Sequence, residues 1–261
     1  MFDFHLHSRV SFDSTAAPQD ILLAAEKVGL REICFTDHYD YHSSPEKPHN
    51  LFTVEQYAKE YDSLTSSSML IRRGMEFGLT TWNREQLDVL LSERNFDFVI
   101  GSVHFAGGFD PYDSAYWDGK SVRDAFETYL SESLACVKIH DNFDVLGHLN
   151  YVCKSMQNPT HKPLYYADYA DLCDEIMRCL VSKGKGMEIN TSGVDRVGAF
   201  LPDAPFLKRF KELGGEIVTV GSDAHVPERV GLYAKEALSV LKDIFGYVCT
   251  FENRKPIFHK L

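Results

Sequence analysis

The sequence has no CxxC pair and no regular cysteine spacing, although it contains six cysteines in 261 residues. We therefore expect reduced thiols in a cytoplasmic protein rather than a disulfide framework or a zinc–thiolate site. No apolar run approaches the length of a membrane span. The first residues, MFDFHLHSRV, also lack the basic and apolar regions of a signal peptide. These absences predict a soluble protein without membrane contacts.

Positive charge is also scarce, since 38 acidic residues face 27 lysines and arginines and the net charge is −11. An acidic protein without a basic stripe is a poor binder of nucleic acid, which is held largely through its phosphates. A small anionic substrate stays possible, because bound metal ions can reverse the local field.

Short apolar runs alternate with amphipathic stretches along the whole chain. The runs are typical of buried parallel strands: Phe2–Leu6, Ile33–Thr36, Leu70–Glu76, Phe98–Ser102, Val145–Leu149, Gly186–Ile189, Ile217–Val220 and Tyr247–Phe251. The stretches between them have helical spacing: Pro18–Val28, Val54–Leu64, Gln86–Arg94, Val122–Ile139, Tyr169–Ser182, Phe206–Leu213 and Leu232–Phe245. Seven or eight such units favour a closed βα barrel over an open doubly wound sheet. We expect one domain over residues 1–261.

Almost every predicted strand ends in a possible metal ligand, and these ends meet at one mouth of a βα barrel. A single buried histidine is more often a hydrogen-bonded core residue than a ligand. Six histidines and two carboxylates at the same end of successive strands instead predict a metal centre: His5, His7, His38, Glu76, His104, His148, Asp223 and His225. One ion cannot use so many ligands, so two or three divalent ions are expected. Zinc, manganese and iron all suit these ligands.

The order of the ligand motifs resembles that of the polymerase and histidinol phosphatase family. The motifs are HxHS, TDH, an isolated Glu, an isolated His, GH and SDAH. The resemblance spans His5 to His225. It implies a distorted (β/α)7, TIM-barrel-like fold with the metal site at the C-terminal ends of the strands. The segments SFDS, IGSVHF, GHLNY and EINTSG are most similar to the family's histidinol-phosphate phosphatases. That likeness implies a phosphoric monoester hydrolase that converts L-histidinol phosphate to L-histidinol and phosphate in histidine biosynthesis.

The resemblance also implies which residues hold each ion. The first ion would have His5, His7, Glu76 and Asp223, and Glu76 would bridge to a second held by His104 and His148. The third would have His38, His225 and Asp13. Asp13 has an alternative role, because it or Ser14 could cap the following helix.

Catalysis and substrate binding can be assigned to a few further positions. Asp223 or His225 is expected to carry a proton to the leaving alcohol. Arg196 and Arg229 could bind the phosphate, and the alternative for each, more so for Arg229, is an exposed salt bridge. Ser102 and Asn190 lie beside ligand positions and could donate to the phosphate, and Asn190 could instead support the ligands.

The segment 105–120, FAGGFDPYDSAYWDGK, is long and rich in aromatic residues and glycine. It could form a lid or substrate wall at the barrel mouth. Asp110, Asp113 and Asp118 could meet a cationic amine of the substrate. The alternative is that Tyr116 and its aromatic neighbours only pack the loop against the barrel.

Several other activities use a similar metal cluster. A phosphodiesterase or exonuclease, a nucleotide phosphatase and a phosphotyrosine phosphatase are the nearest, and the acidic charge disfavours polynucleotides. Amidohydrolase barrels commonly use a modified lysine as a bridging ligand, and no lysine ends a predicted strand here. A barrel that holds metal without turnover would be expected to have an incomplete ligand set.

Overall fold

The computed structural model describes residues 1–261. The strands are β1 Phe2–Leu6, β2 Glu32–Phe35, β3 His38–Asp40, β4 Leu70–Gly78, β5 Phe98–Ser102, β6 Val145–Leu146, β7 Gly186–Asn190, β8 Val218–Gly221, β9 Tyr247–Glu252 and β10 Lys255–Lys260. The α-helices are α1 Pro18–Val28, α2 Val54–Tyr61, α3 Arg84–Glu93, α4 Ser114–Trp117, α5 Val122–Ile139, α6 Ala170–Ser182, α7 Val194–Val197, α8 Ala204–Glu212 and α9 Ala234–Ile244. Short 3-10 helices lie at Tyr151–Lys154, Tyr166–Asp168 and Pro227–Arg229. None of the helices combines the length and apolar composition that a membrane crossing requires.

The strands form a parallel barrel in the order β1-β2-β4-β5-β6-β7-β8, with β3 paired to β4. The ends of the sheet meet where the amide of His7 donates to the carbonyl of Ala224 and the amide of Asp223 donates to the carbonyl of His5, both at 2.9 Å. The predicted distorted (β/α)7 barrel is therefore confirmed.

The distortion lies in the second strand position, which is split in two. β2 pairs with Leu70–Arg73 of β4, and β3 pairs with Glu76–Gly78 further along. Between them the buried Asp37 carboxylate accepts hydrogen bonds from the amide of Ser8 (2.7 Å) and the hydroxyl of Tyr61. After this interruption between β2 and β3, the new strand begins at His38. The sequence did not predict β3, because three residues are too few to show a period.

The longer helices cover the outside of the barrel with one apolar face each. In α1 the buried positions are Pro18, Ile21, Leu22 and Ala25, at the spacing of a helix face. Every residue of β1, β5 and β7 is buried, as expected for parallel strands covered on both sides. A continuous apolar core therefore fixes the strand ends in space.

The prediction that the run at 247–251 is a parallel strand is wrong. It lies in β9, which pairs antiparallel with β10 through a two-residue turn at Asn253 and Arg254, both at positive φ. The hairpin packs at the N-terminal end of the barrel, where the Phe251 ring lies 4.8 Å from the Phe98 ring. A short apolar run does not itself distinguish parallel from antiparallel pairing.

Candidate metal centre

All nine predicted ligands surround the C-terminal mouth of the barrel, and most of them are buried there. They come from β1 and the loop after it, β3, β4 and the segments just after β5, β6 and β8: His5, His7, Asp13, His38, Glu76, His104, His148, Asp223 and His225. Residues far apart in sequence are thus brought together, because parallel strands all end at the same mouth.

Glu76 is at the middle of this cluster, and one of its two carboxylate oxygens, Oε2, faces three histidine rings. Oε2 lies 2.9 Å from His38 Nδ1, 3.2 Å from His5 Nε2 and 3.6 Å from His7 Nε2. All four atoms are buried, and none has a hydrogen-bond partner of acceptable geometry. Unpartnered buried polar atoms are costly. Imidazole nitrogens converging on a carboxylate oxygen form a donor set that fits a divalent metal ion.

The other carboxylate oxygen of Glu76, Oε1, faces a different pair of histidine rings. Oε1 lies 2.8 Å from His148 Nε2 and 3.3 Å from His104 Nε2. The two oxygens of one carboxylate therefore point at two separate groups of imidazoles. This arrangement is what a carboxylate bridging two metal ions requires.

A third group lies nearer the solvent, beside the ring of His7. His225 Nε2 lies 3.1 Å from Asp13 Oδ2 and 3.3 Å from His38 Nε2. The His7 and His225 rings stack with centroids 4.0 Å apart. Asp13 is directed into the cluster, and Ser14 contacts the carbonyl of His225. The cap of α1 is Ala17, so neither Asp13 nor Ser14 caps that helix.

Asp223 connects the cluster to a lysine that the sequence did not predict. Its Oδ1 lies 3.3 Å from His7 Nε2, and its Oδ2 lies 2.6 Å from Lys154 Nζ. Its backbone has φ of 55°, a left-handed conformation that is unusual outside glycine and is often found at functional sites. Lys154 ends the 3-10 helix after β6, which gave no periodic signal.

Electrostatics keeps the two central carboxylates ionised. Burial alone would raise the pKa of Glu76, but the rings of His5 and His38 hold it well below the usual value. For Asp223 burial again opposes ionisation, and Lys154 holds its pKa well below the usual value. Ionised carboxylates are the form that binds metal.

A second residue that was not predicted, the carboxylate Glu188, supports the cluster from behind. Glu188 Oε1 lies 2.6 Å from His5 Nδ1, and Oε2 accepts from the amide of His148 at 2.9 Å. With Nδ1 engaged, His5 turns Nε2 toward Glu76. Glu188 precedes Asn190 by two residues on β7 and faces the same side, a signal that could have revealed it.

The predicted substrate contacts fall into two pairs. Ser102 and Asn190 are fully buried behind the ligands, and Asn190 Nδ2 donates to Glu188 Oε2 at 3.1 Å. Arg196 and Arg229 instead line a cavity that also contains Lys154, Asp223 and His225. Arg229 is ion-paired with Asp195 at 2.9 Å. The arginines lie where an anion can reach them, whereas Asn190 supports the ligands through Glu188 and the buried Ser102 hydroxyl has no hydrogen-bond partner.

A larger cavity of about 490 Å³ opens directly over the ligands. One wall consists of Phe105, Asp110 and Tyr112 from the predicted loop at 105–120. Tyr116 and Trp117 of the same loop pack inward, with Tyr116 fully buried. The loop therefore both lines the mouth and packs down on the barrel.

A parallel βα barrel with imidazoles and carboxylates gathered at its C-terminal mouth defines the class of barrels that hold a cluster of metal ions. Comparison with known families places the chain within that class. The model of the PHP domain family matches residues 3–192, and the chain belongs to this family. Asp223 and His225 lie beyond the matched segment.

Individual relatives extend over nearly the whole chain. A histidinol-phosphatase of Lactococcus lactis subsp. lactis is 33% identical to this chain, and the match covers 97% of this chain and 95% of the length of that protein. A probable histidinol-phosphatase of Clostridium acetobutylicum is 32% identical over 99% of this chain and 96% of its own. The crystal structure of a Lactococcus lactis histidinol phosphate phosphatase, in complex with zinc, L-histidinol and phosphate, has a TM-score of 0.85 and 29% identity and covers 98% of both chains.

Proposed function

We propose that the chain is a metal-dependent phosphoric monoester hydrolase that converts L-histidinol phosphate to L-histidinol and phosphate in histidine biosynthesis. The observation that carries the proposal is the pairing of a Glu76-centred ligand cluster with full-length similarity to histidinol-phosphatases, one of them in complex with zinc and both reaction products. Fold alone would not be enough, because one barrel fold hosts many reactions.

Two or three divalent ions such as zinc, manganese or iron fit the residues present. When bound, they supply charge neutralisation for the phosphoryl group and a nucleophile from water at neutral pH. The proposed holders are His5, His7, Glu76 and Asp223 for the first ion, Glu76, His104 and His148 for the second, and Asp13, His38 and His225 for the third.

Lys154 and Arg196 are the proposed contacts for the phosphate. Lys154 Nζ reaches Asp223 Oδ2 and lines the large cavity, and Arg196 lines the adjoining one. Arg229 adds a third positive charge on that side. These cations provide a local attraction for an anion that the net charge of −11 would otherwise repel.

Asp223 and His225 are the proposed carriers of protons. Asp223 lines the cavity beside the other proposed ligands, where its carboxylate is placed to accept a proton from the attacking water. The His225 side chain is 27% exposed at the rim of the cavity, where the leaving alcohol departs. It is therefore the group proposed to return the proton.

The leaving alcohol is recognised by the wall of the cavity that Phe105, Asp110 and Tyr112 form. L-Histidinol has an ammonium group and an imidazole ring, which suit a carboxylate among aromatic side chains. Asp110 lines the cavity with Phe105 and Tyr112, and its Oδ1 accepts from the amide of Tyr112 at 2.8 Å. Burial raises the pKa of Asp110, so a cationic ligand beside it would be favoured.

An Asp110→Asn substitution is expected to lower kcat/KM for histidinol phosphate about tenfold, equivalent to about 1.4 kcal/mol. p-Nitrophenyl phosphate, whose leaving group has no cation, should be hydrolysed at an unchanged rate. Asp113→Asn in the same loop is the matched control, because Asp113 is exposed and is not part of the cavity lining. Equal losses on both substrates would show that Asp110 does not select the alcohol.

Phosphate release from a panel of monoesters tests the proposed activity itself. The metal-loaded protein should prefer L-histidinol phosphate to p-nitrophenyl phosphate, a nucleoside monophosphate and phosphotyrosine. A preference for the nucleotide or for phosphotyrosine would replace the proposed substrate and leave the metal chemistry in place.

A further inference from the structure

Asp40 is a buried carboxylate at the end of β3 that lies outside the three proposed ligand sets. Its side chain is 6% exposed, and its Oδ1 lies 2.9 Å from His104 Nδ1 in hydrogen-bond geometry. Its Oδ2 lies 3.3 Å from His38 Nδ1, without that geometry. One carboxylate therefore contacts a ligand of the second site and faces a ligand of the third.

The contact with Asp40 decides which nitrogen of His104 faces the metal centre. An imidazole that donates its Nδ1–H to a carboxylate keeps the Nε2 lone pair free. In His104 that Nε2 faces Glu76 Oε1 at 3.3 Å. A carboxylate behind the ring fixes its tautomer and orientation and raises its basicity as a ligand.

The surrounding backbone is arranged to hold Asp40 in this position. The amide of Asp40 donates to the carbonyl of Asn50 and the amide of Asn50 donates back, both at 2.8 Å. Gly78 on the paired strand β4 leaves the space for the carboxylate, because a Cβ there would overlap Asp40 Oδ1. Gly78 has no positive φ, so this glycine is needed for space and not for its backbone conformation.

We propose that Asp40 is a positioning residue of the metal centre, which holds His104 as an Nε2 ligand of the second site while its other oxygen faces His38 of the third. The inference depends on the metal centre of the proposed function and not on the identity of the substrate.

The first test is the zinc affinity of an Asp40→Asn variant, measured by competition with a chromophoric chelator. Asparagine keeps the size but has one acceptor oxygen instead of two and no charge. Zinc binding at the weakened site should fall about 10- to 100-fold. Asp144→Asn is the matched control. Asp144 is a buried carboxylate directly before β6, and it pairs with Arg254 at the opposite end of the barrel. Its zinc affinity should equal that of the unaltered chain.

A Gly78→Ala variant tests the same inference without removing the carboxylate. The added methyl group displaces Asp40 from His104, so zinc affinity should again fall. This variant decides the question if Asp40→Asn does not fold. Unaltered zinc binding in the folded variants would overturn the proposal.

A spectroscopic readout separates positioning from a general structural role. In the zinc-loaded chain labelled with ¹⁵N-histidine, His104 should show an Nε2-coordinated ring with a slowly exchanging Nδ1–H proton. That proton signal should be lost in Asp40→Ala, which removes the acceptor, and kept in Asp144→Asn. If it persists in Asp40→Ala, the inference is wrong. These readouts need no substrate, so they stand or fall separately from hydrolysis of histidinol phosphate.

Discussion

Replacing Glu76 with Gln is expected to reduce kcat/KM about 10³-fold or more, on histidinol phosphate and p-nitrophenyl phosphate alike. The two oxygens of Glu76 face two different groups of imidazoles. Glutamine has nearly the same shape but no charge, so it cannot bridge two cations. The stabilisation of transition-state charge that metals supply amounts to several kcal/mol, and each 1.4 kcal/mol is a factor of ten in rate.

The matched control for Glu76 is Glu32→Gln. Glu32 is also buried in the barrel, at the start of β2, where it pairs with Arg72 at 2.6 Å far from the ligands. This variant should lose stability but keep its bound metal and its kcat. The account of Glu76 fails if Glu76→Gln keeps its activity within tenfold, or if Glu32→Gln loses as much.

Removal of metal is expected to lower the thermal unfolding midpoint by about 10 °C. A ligand at 1,000 times its dissociation constant stabilises the native state by about 4 kcal/mol, and a chain of this size shifts by about 2–4 °C per kcal/mol. Without metal, the buried imidazoles and carboxylates around Glu76 lose the cations that satisfy them. Differential scanning calorimetry before and after dialysis against a chelator measures the shift.

Glu76→Gln provides the internal control for that experiment. Because the variant binds metal weakly, chelation should change its unfolding midpoint much less than that of the unaltered chain. Re-addition of zinc should restore the midpoint of the unaltered chain only. An unfolding midpoint that does not respond to chelator would mean that the cluster contributes no metal-linked stability.

The barrel and the ligands could be predicted from sequence for one physical reason. Buried parallel strands appear in the sequence as apolar runs, and each run ends where the chain reaches the C-terminal mouth of the barrel. The polar residue that follows the run therefore faces the site. His104 after β5 and His148 after β6 were located in this way. The same logic failed at Tyr247–Glu252, where an apolar run of ordinary composition folds back through Asn253 and Arg254 as a hairpin.

The residues that support the ligands left weaker signals. Lys154 belongs to a 3-10 helix without a period, and Asp40 lies on a strand of three residues. Their roles depend on contacts across the barrel, to Asp223 and His104, that are more than 60 residues away in sequence. Such contacts exist only once the strands are assembled, so local pattern cannot reveal them.

Hydrolysis of L-histidinol phosphate as zinc is returned to the metal-free chain is the most direct test of the central claim. Phosphate release should be negligible without metal, should rise as the bound zinc per chain approaches two to three, and should greatly exceed release from p-nitrophenyl phosphate. A chain that binds zinc but leaves histidinol phosphate intact, or one that releases phosphate equally well without metal, would contradict the account.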